Sequence, residues 1–444
     1  MTELLQTPAA WPRVLLPDKP EKEGAAAVAF PSLRRAIREL GPNGTIAVIA
    51  ESRLRGLGGG GFPVADKWRA AAAVEAPAHH VVANGFGADP ASQTDRTIME
   101  RRPAAVVEGA AIAALAIGAE DVILAVRAEA TEALGALQRA VTAAYEAGSL
   151  GPEVFGSDRR IDVEVRPVQG AYMLGEETIL IKALEGKRGQ PEQRPPHPTS
   201  DGLWGMPTVV QNVQTLAAVP WIVERGASAF RKTGTEAAPG TILVQVRGPE
   251  KAGVAEVPFG TTLREIANLA GAPARGHKIK AVLIGGPSGG ILPADQLSAS
   301  YTFESLRDLG AHVGSGSVIV ADDRACIVDL ARLLTRYCAD EACGKTIPCR
   351  IGTRRLAEIG ERLAAGTSRA GDLQLATDLA ADIVGSGLCD HERLATLPLM
   401  TGLRYFRPEI DAHLDRGECP AGVCRPIPLA ANAQPAGRSA GATA

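Results

Sequence analysis

Between Glu341 and Cys349 the chain reads Glu-Ala-Cys-Gly-Lys-Thr-Ile-Pro-Cys, and a lone Cys389 follows on the far side of two helical segments. Thiolates spaced this way on a tight loop are what an iron–sulfur cluster needs, and a cluster forces the segments that carry its ligands to converge on one point. Cys343, Cys349 and Cys389 supply three ligands. Thr346 stands midway between the first two, where a further thiolate would complete a set of four. Three cysteines hold a three-iron cluster, or a four-iron one whose last iron takes oxygen from water, from Thr346 or from a side chain elsewhere. A chain that has lost its cluster is the alternative. Cys338 is a second candidate, but it continues the apolar stripe of a helix, where a small buried hydrophobe is the commoner role.

At 444 residues the chain exceeds what one hydrophobic core usually serves, so two or three domains are expected, and 45% hydrophobic residues suffice to bury them. Lys plus Arg number 47 against 50 for Asp plus Glu, and no basic run is interleaved with aromatics, which argues against nucleic acid as a partner. The N-terminus lacks a basic and an apolar leader region, and the longest apolar stretch, residues 104–126, is broken by Glu108, Glu120 and Asp121. A cytoplasmic protein with no membrane span is expected. All seven cysteines lie after residue 325, an odd number crowded into the last quarter, which suits metal binding better than disulfides.

Continuous β-branched runs at Ile46–Ala50, His79–Ala83, Asp121–Val126 and Ile161–Val165 predict buried parallel strands, with Pro103–Ile117 a helix between two of them. The fold class is therefore α/β over the first half. A polar stretch at residues 230–240 marks a boundary. Beyond it, Thr241–Arg247, Val254–Val257 and Ile279–Gly285 read as strands, and Thr262 with Glu265 as a capping box opening a helix. From Cys326 the period changes: Ile327, Leu330, Ala331, Leu334 and Cys338 share a helix face, as do Leu356, Ile359 and Leu363, and then Ala376, Leu379, Ala380 and Ile383. Helices joined by short loops predict a bundle. The Ala-, Pro- and Gly-rich residues 425–444 are expected to be a disordered tail.

Arg55-Gly-Leu-Gly-Gly-Gly-Gly-Phe-Pro63 lets backbone N–H groups approach a phosphate or a flat ring without Cβ obstruction, though a run of glycines alone is more often a flexible loop. Lys67-Trp68, Gly170-Ala-Tyr-Met-Leu-Gly-Glu-Glu-Thr178, Leu184-Glu-Gly-Lys-Arg-Gly189, Gly202-Leu-Trp-Gly-Met-Pro-Thr208 and the cysteine loop follow in order. With these motifs the chain, from about residue 30 to 424, resembles the NADH-binding flavoprotein subunit of respiratory complex I and the related diaphorase subunits of hydrogenases and formate dehydrogenases. The resemblance implies an N-terminal extension (1–29), a Rossmann-like FMN/NADH-binding domain (30–235), a ubiquitin-like β-grasp domain of the SLBB type (236–322) and a four-helix iron–sulfur bundle (323–424).

It also implies site residues. Gly56, Gly58, Gly59, Gly61, Lys67, Asn84, Gly175, Glu176, Glu177, Asn212 and Thr215 would surround FMN. Phe62, Asp89, Glu177 and Arg194 would face NADH, with Glu176 and Glu177 setting the placement of the two rings and Phe62 packing near the nicotinamide. The chain departs from the family pattern in several places. Relatives follow the Asn with Ala-Asp-Glu-Ser-Glu-Pro, whereas Asn84 precedes Gly85, Phe86, Gly87, Ala88, Asp89 and Pro90; Gln211 replaces an asparagine, Leu57 an arginine, and Ala70 and His197 two phenylalanines. Relatives carry Cys-Gly-Lys-Cys-x-Pro-Cys, and this chain has Thr346 in place of the second cysteine.

Cys419-Pro-Ala-Gly-Val-Cys424, preceded by His413, is a second constellation. With Cys326 it would make a closed Cys3His zinc site joining the bundle's end to its beginning; the alternative is free thiols near a frayed end. The expected function is an NADH:acceptor oxidoreductase subunit, passing hydride from NADH to FMN and single electrons through a 4Fe-4S or 3Fe-4S cluster. Its acceptor would be a thioredoxin-like 2Fe-2S subunit, a ferredoxin or a larger dehydrogenase complex. The alternative is a non-catalytic assembly or relay subunit.

Overall fold

The computed structural model describes residues 2–16 and 28–425. Strands β1 (His80–Gly85), β2 (Asp121–Arg127), β3 (Asp162–Val168) and β4 (Thr208–Asn212) form an all-parallel sheet in the order β3-β2-β1-β4. Alternate residues feed two cores. Val81, Ala83, Val122 and Leu124 pack with the helices Pro103–Ile117, Thr131–Glu146 and Val213–Arg225, while Val82, Ile123 and Val210 pack with Met173, Leu174 and the helix Glu177–Leu184. Every residue from Ala104 to Ile117 is buried. Gly109 is needed there: a Cβ would lie 1.9 Å from the Leu216 carbonyl oxygen, so only glycine lets the two helices meet backbone to backbone.

One sequence expectation is overturned. Ile46–Ala50 lies within the helix Gly41–Ser52, so the glycine loop follows a helix and not a strand. Burial falls on Thr45, Ile46, Ile49 and Ser52, the spacing of a helix face, and Pro42 sits in the first turn where its missing N–H costs nothing. The β-branched content had suggested a strand; tertiary packing outweighs that weak preference. Strand β4 went unread because its apolar run is only Val209–Val210.

The second sheet, order β6-β5-β9-β7-β8, combines two antiparallel pairs through a central strand: β5 (Thr241–Arg247) with β6 (Ala252–Pro258), β7 (Ile279–Ile284) with β8 (Gly290–Pro293), and β9 (Ser317–Asp322) parallel to β5. The helix Leu263–Asn268 opens with the expected reciprocal Thr262–Glu265 capping box. Residues 4 and 5 pair with Val254, and the buried Glu256 carboxylate accepts the N–H groups of Val14, Leu15 and Leu16 at 2.6, 2.8 and 2.7 Å. Glu256→Ala would strand three buried donors, each worth roughly 1–3 kcal/mol. We expect urea unfolding to show a stability loss of at least about 3 kcal/mol, with early tryptic cleavage at Arg13; unchanged resistance at Arg13 would contradict it.

The last unit is helical: Ile327–Asp340, Arg354–Ala365 and Asp372–Ser386, then the shorter Asp390–Leu394, Leu397–Tyr405 and Arg407–Asp415. Leu356, Ile359, Leu363, Ala376, Ile383, Leu399 and Ile410 fill its centre. The tail expected at 425–444 lies, past Arg425, outside the described residues.

Candidate functional site

In an open parallel sheet ligands bind beyond the carboxyl ends of strands where the chain order reverses. Here that point lies between β1 and β4, whose paired last residues are Asn84 and Asn212. Arg55 pairs with Pro63, and Gly56 N–H donates to the Phe62 carbonyl at 2.9 Å, closing the glycine loop. The loop is tied to the helix Val213–Arg225, which follows β4, by Leu57 N–H donating to the Thr215 hydroxyl at 2.8 Å. A Cβ on Gly58 would lie 3.0 Å from Asn212, and one on Gly59, at φ +108°, 2.9 Å from the Gly314 backbone. Gly60 has no neighbour within 4 Å of such a Cβ, so its face of the loop is open. Phe62, beside it, is 57% exposed, unusual for so large an apolar ring.

Across the crevice the helix Glu177–Leu184 starts with Glu176, whose carboxylate accepts from the N–H groups of Thr178 and Ile179 at 2.8 and 2.9 Å. Lys67 Nζ lies 2.6 Å from a Glu177 oxygen and also donates to the Val210 carbonyl at 3.1 Å. Arg194 bridges Glu177, at 3.2 Å, and Glu176. Burial alone would raise the Glu177 carboxyl, but the Lys67 and Arg194 cations, with the Lys67 hydrogen bond and His197, hold it below the usual carboxylate range. Asn84 donates to the Gly175 carbonyl at 3.0 Å. The structure thus brings together the glycine loop, Lys67, Asn84, Gly175, Glu176, Glu177, Arg194, Asn212 and Thr215 at one crevice.

Asp89 does not join them, contrary to the expectation that it faces NADH. Its buried carboxylate accepts from the hydroxyls of Ser315 and Ser317, and from Ala91 N–H at 2.8 Å, latching the first sheet to the second. Phe86 is likewise a core residue, with the Arg127 guanidinium 4.0 Å from its ring centroid and Arg127 donating to the carbonyls of Phe86 and Gly87. A residue that sequence reasoning missed is Asp95, which accepts from the Asn212 amide at 3.0 Å and from Gln214 at 2.9 Å. Burial, against these two hydrogen bonds, raises its carboxyl. Nothing in the local sequence marks it, because its partners lie more than a hundred residues away.

The cysteine loop abuts this crevice. Cys343 and Cys389 pack in the same core cluster as Met173 and Leu174, immediately before Gly175-Glu176-Glu177. Tyr172 N–H donates to Glu341 at 2.9 Å, and Lys345 Nζ to the Pro191 carbonyl at 2.5 Å, fastening loop to sheet domain. Burial, then the charges of Glu392, Cys389 and Cys343, pushes the Cys349 thiol up to about 12. Burial pushes Cys389 to about 12 as well, against the backbone amides of Glu392 and His391. Thiolates crowded in a buried site are favoured only when a cationic metal group binds them, which fits a cluster. Cys338 is buried on its helix and points its sulfur at the Pro287 carbonyl, consistent with a packing role.

The second constellation also converges. The ligand atoms of Cys326, His413, Cys419 and Cys424 all lie within 4.8 Å of one another, with Cys326 Sγ 3.6 Å from His413 Nε2 and 3.5 Å from Cys424 Sγ. Tetrahedral zinc with bonds of about 2.0–2.3 Å sets such atoms roughly 3.5–3.8 Å apart. His413 Nδ1 lies 2.8 Å from the Glu409 carbonyl, so it carries the proton and leaves Nε2 free to bind metal. The donor set, its spacing and its tautomer fit a single zinc ion.

A parallel-sheet crevice with a glycine loop, joined to a cysteine loop whose Cys349 is buried, defines an electron-transfer protein that sets an organic redox cofactor beside a metal cluster. Residues 49–221 match the family described as Nuo51 FMN-binding domain, and residues 329–413 the NADH-ubiquinone oxidoreductase-F iron-sulfur binding region. The second F-type subunit of NADH-quinone oxidoreductase from Rhizobium meliloti is 38% identical over 397 residues, 89% of this chain and 94% of the relative. The NADP-reducing hydrogenase subunit HndC of Solidesulfovibrio fructosivorans is 38% identical over 86% of this chain and 78% of its own length. The crystal structure of an NAD+-reducing [NiFe]-hydrogenase in the H2-reduced state superposes with a TM-score of 0.81 at 32% identity, covering 93% of this chain and 68% of that one. The chain belongs to the family of F-type subunits of NADH-quinone oxidoreductases, which includes the diaphorase subunits of hydrogenases. Among the described residues no helix is long and apolar enough to cross a membrane.

Proposed function

We propose that this chain is the NADH-oxidising subunit of a multi-subunit oxidoreductase, binding FMN in the β1/β4 crevice and an iron–sulfur cluster at Cys343, Cys349 and Cys389. The observation that carries it is adjacency: the turn leading into Glu176 and Glu177 shares one hydrophobic cluster with two of the cluster cysteines. When bound, the flavin accepts a hydride and releases electrons singly, the conversion that links a nicotinamide to a one-electron metal centre.

The chain's own residues do the positioning. The open face at Gly60 offers backbone to the cofactor, and Lys67, fixed by Glu177 and the Val210 carbonyl, places a cation at the crevice floor. Exposed Phe62 provides a stacking surface for the nicotinamide, and Arg194 holds both carboxylates in a fixed geometry. Hydride transfer depends mainly on ring alignment, so no acid or base is required. The second sheet, with the capped helices Leu263–Asn268 and Phe303–Asp308, serves as a β-grasp domain of the SLBB type over residues 236–322, and residues 323–424 as a four-helix bundle with zinc at Cys326, His413, Cys419 and Cys424. A thioredoxin-like 2Fe-2S subunit, a ferredoxin or a larger dehydrogenase complex would accept the electrons in the cytoplasm.

Phe86, which is buried, and Thr346, which takes a cysteine's place, favour a second reading, an assembly subunit without redox chemistry. The visible spectrum of anaerobically purified protein separates the two: flavin bands that bleach on adding NADH support the enzyme, and a preparation that binds neither flavin nor iron supports the scaffold.

A further inference from the structure

The cluster loop lacks a thiolate at Thr346, and the side chain that touches Thr346 is Glu392: the threonine hydroxyl donates to one oxygen of its carboxylate. The other oxygen accepts the N–H of Leu388, the residue before Cys389. Glu392 is 3% exposed, and among the described residues no Lys, Arg or His forms an ion pair with it. A carboxylate in so dry a place, without a cation, is costly. It also stands among the principal charges acting on the sulfurs of both Cys349 and Cys389. Cys389 and Glu392, three residues apart, share one face at the start of the helix Asp390–Leu394. Each carboxylate oxygen has a second lone pair free after its hydrogen bond, and carboxylate oxygen is a far better ligand for iron than a threonine hydroxyl.

We propose that Glu392 is the fourth protein ligand of the cluster, bound to the iron that Cys343, Cys349 and Cys389 leave without a thiolate, and that Thr346 orients it by hydrogen bond. The inference rests on the reading that the chain retains a cluster. It replaces a soft donor by a hard one at a single iron, so that one iron differs electronically from the other three.

The test is anaerobic reconstitution of the full chain with ⁵⁷Fe and sulfide, read by iron content, Mössbauer and EPR spectra, with circular dichroism as the control for folding. The wild type should hold about four irons, one with an oxygen-ligated signature, and Glu392→Ala should fall to about three, with the signal of an oxidised three-iron cluster. Adding Thr346→Cys to the Glu392→Ala chain should restore the fourth iron with an all-sulfur signature. Four irons in folded Glu392→Ala, or three in the wild type, would overturn the ligand assignment. So would loss of iron from His391→Ala alone, because His391 Nδ1, buried and without a hydrogen-bond partner among the described residues, is the competing donor. Iron absent from the wild type but present in Thr346→Cys would make Glu392 a plug, not a ligand. Iron absent from both would defeat the cluster reading itself, a distinguishable failure.

Discussion

Removing the zinc proposed at Cys326, His413, Cys419 and Cys424, by chelation or by His413→Ala, is expected to unfold the end of the helical unit. Structural zinc contributes apparent free energies on the order of 10 kcal/mol in small domains, comparable to the whole stability of a domain. The segment at risk is the helix Arg407–Asp415 and the turn to Cys424, which the site ties to Cys326 at the start of the first long helix. Lys280 would remain 2.7 Å from Glu409, so the helix keeps one anchor to the second sheet. Elemental analysis should give about one zinc per chain, and trypsin should then cut the metal-free chain at Arg416, which precedes Gly417. Acid should act in the same direction. Burial pushes the Cys424 thiol up to about 11 in the absence of metal, so zinc must displace its proton and binds more weakly as pH falls. A zinc-depleted chain that melted and resisted trypsin like the wild type would rule out the structural role.

Lys67→Met should produce the largest effect at the crevice. Lys67 and Glu177 are each about one-fifth exposed, so the pair is only partly screened by water. Its loss leaves Glu177 with Arg194 as the remaining close cation, at a stability cost of about 1–2 kcal/mol after allowance for that exposure. The effect on chemistry should be greater, since misplacing the flavin by about 1 Å costs on the order of 100-fold in hydride transfer. Stopped-flow bleaching by NADH reads this directly. The pH dependence has a definite sign. The folded Glu177 carboxyl lies below its unfolded value of about 4.3, so its stabilisation is present above that pH and disappears as pH falls through the lowered folded value. The stability gap between wild type and Lys67→Met should therefore be complete at neutral pH and close in acid. Equal flavin content and equal bleaching rates in the two proteins would remove Lys67 from the site.

Much of this molecule is legible in its sequence. The strands around His80, Asp121, Asp162 and Thr241 and the three long C-terminal helices announce themselves because their periodicity is local. The Cys3His set was also legible as a group of soft donors, although its members span residues 326 to 424. Where local signals mislead, the reason is physical: residues 46–50 carry β-branched side chains yet present a helical face to the core. Asp89 resembled a nucleotide contact, but of the two serines it binds, Ser317 belongs to a different sheet and Ser315 to the loop before it.

The sequence by itself determined the family, the order of the structural units and the residue types available to flavin, iron and zinc, because those depend on short motifs and near-neighbour spacing. Only the tertiary structure decided which groups share a site: Asp95 under Asn212, Glu256 beneath the N-terminal segment, and Glu392 against Thr346. Each of these is a carboxylate withdrawn wholly or partly from water, and what it does is set by the hydrogen-bond donors that the folded chain places around it. Those neighbours are distant in sequence, and the cost of burying charge makes them decisive.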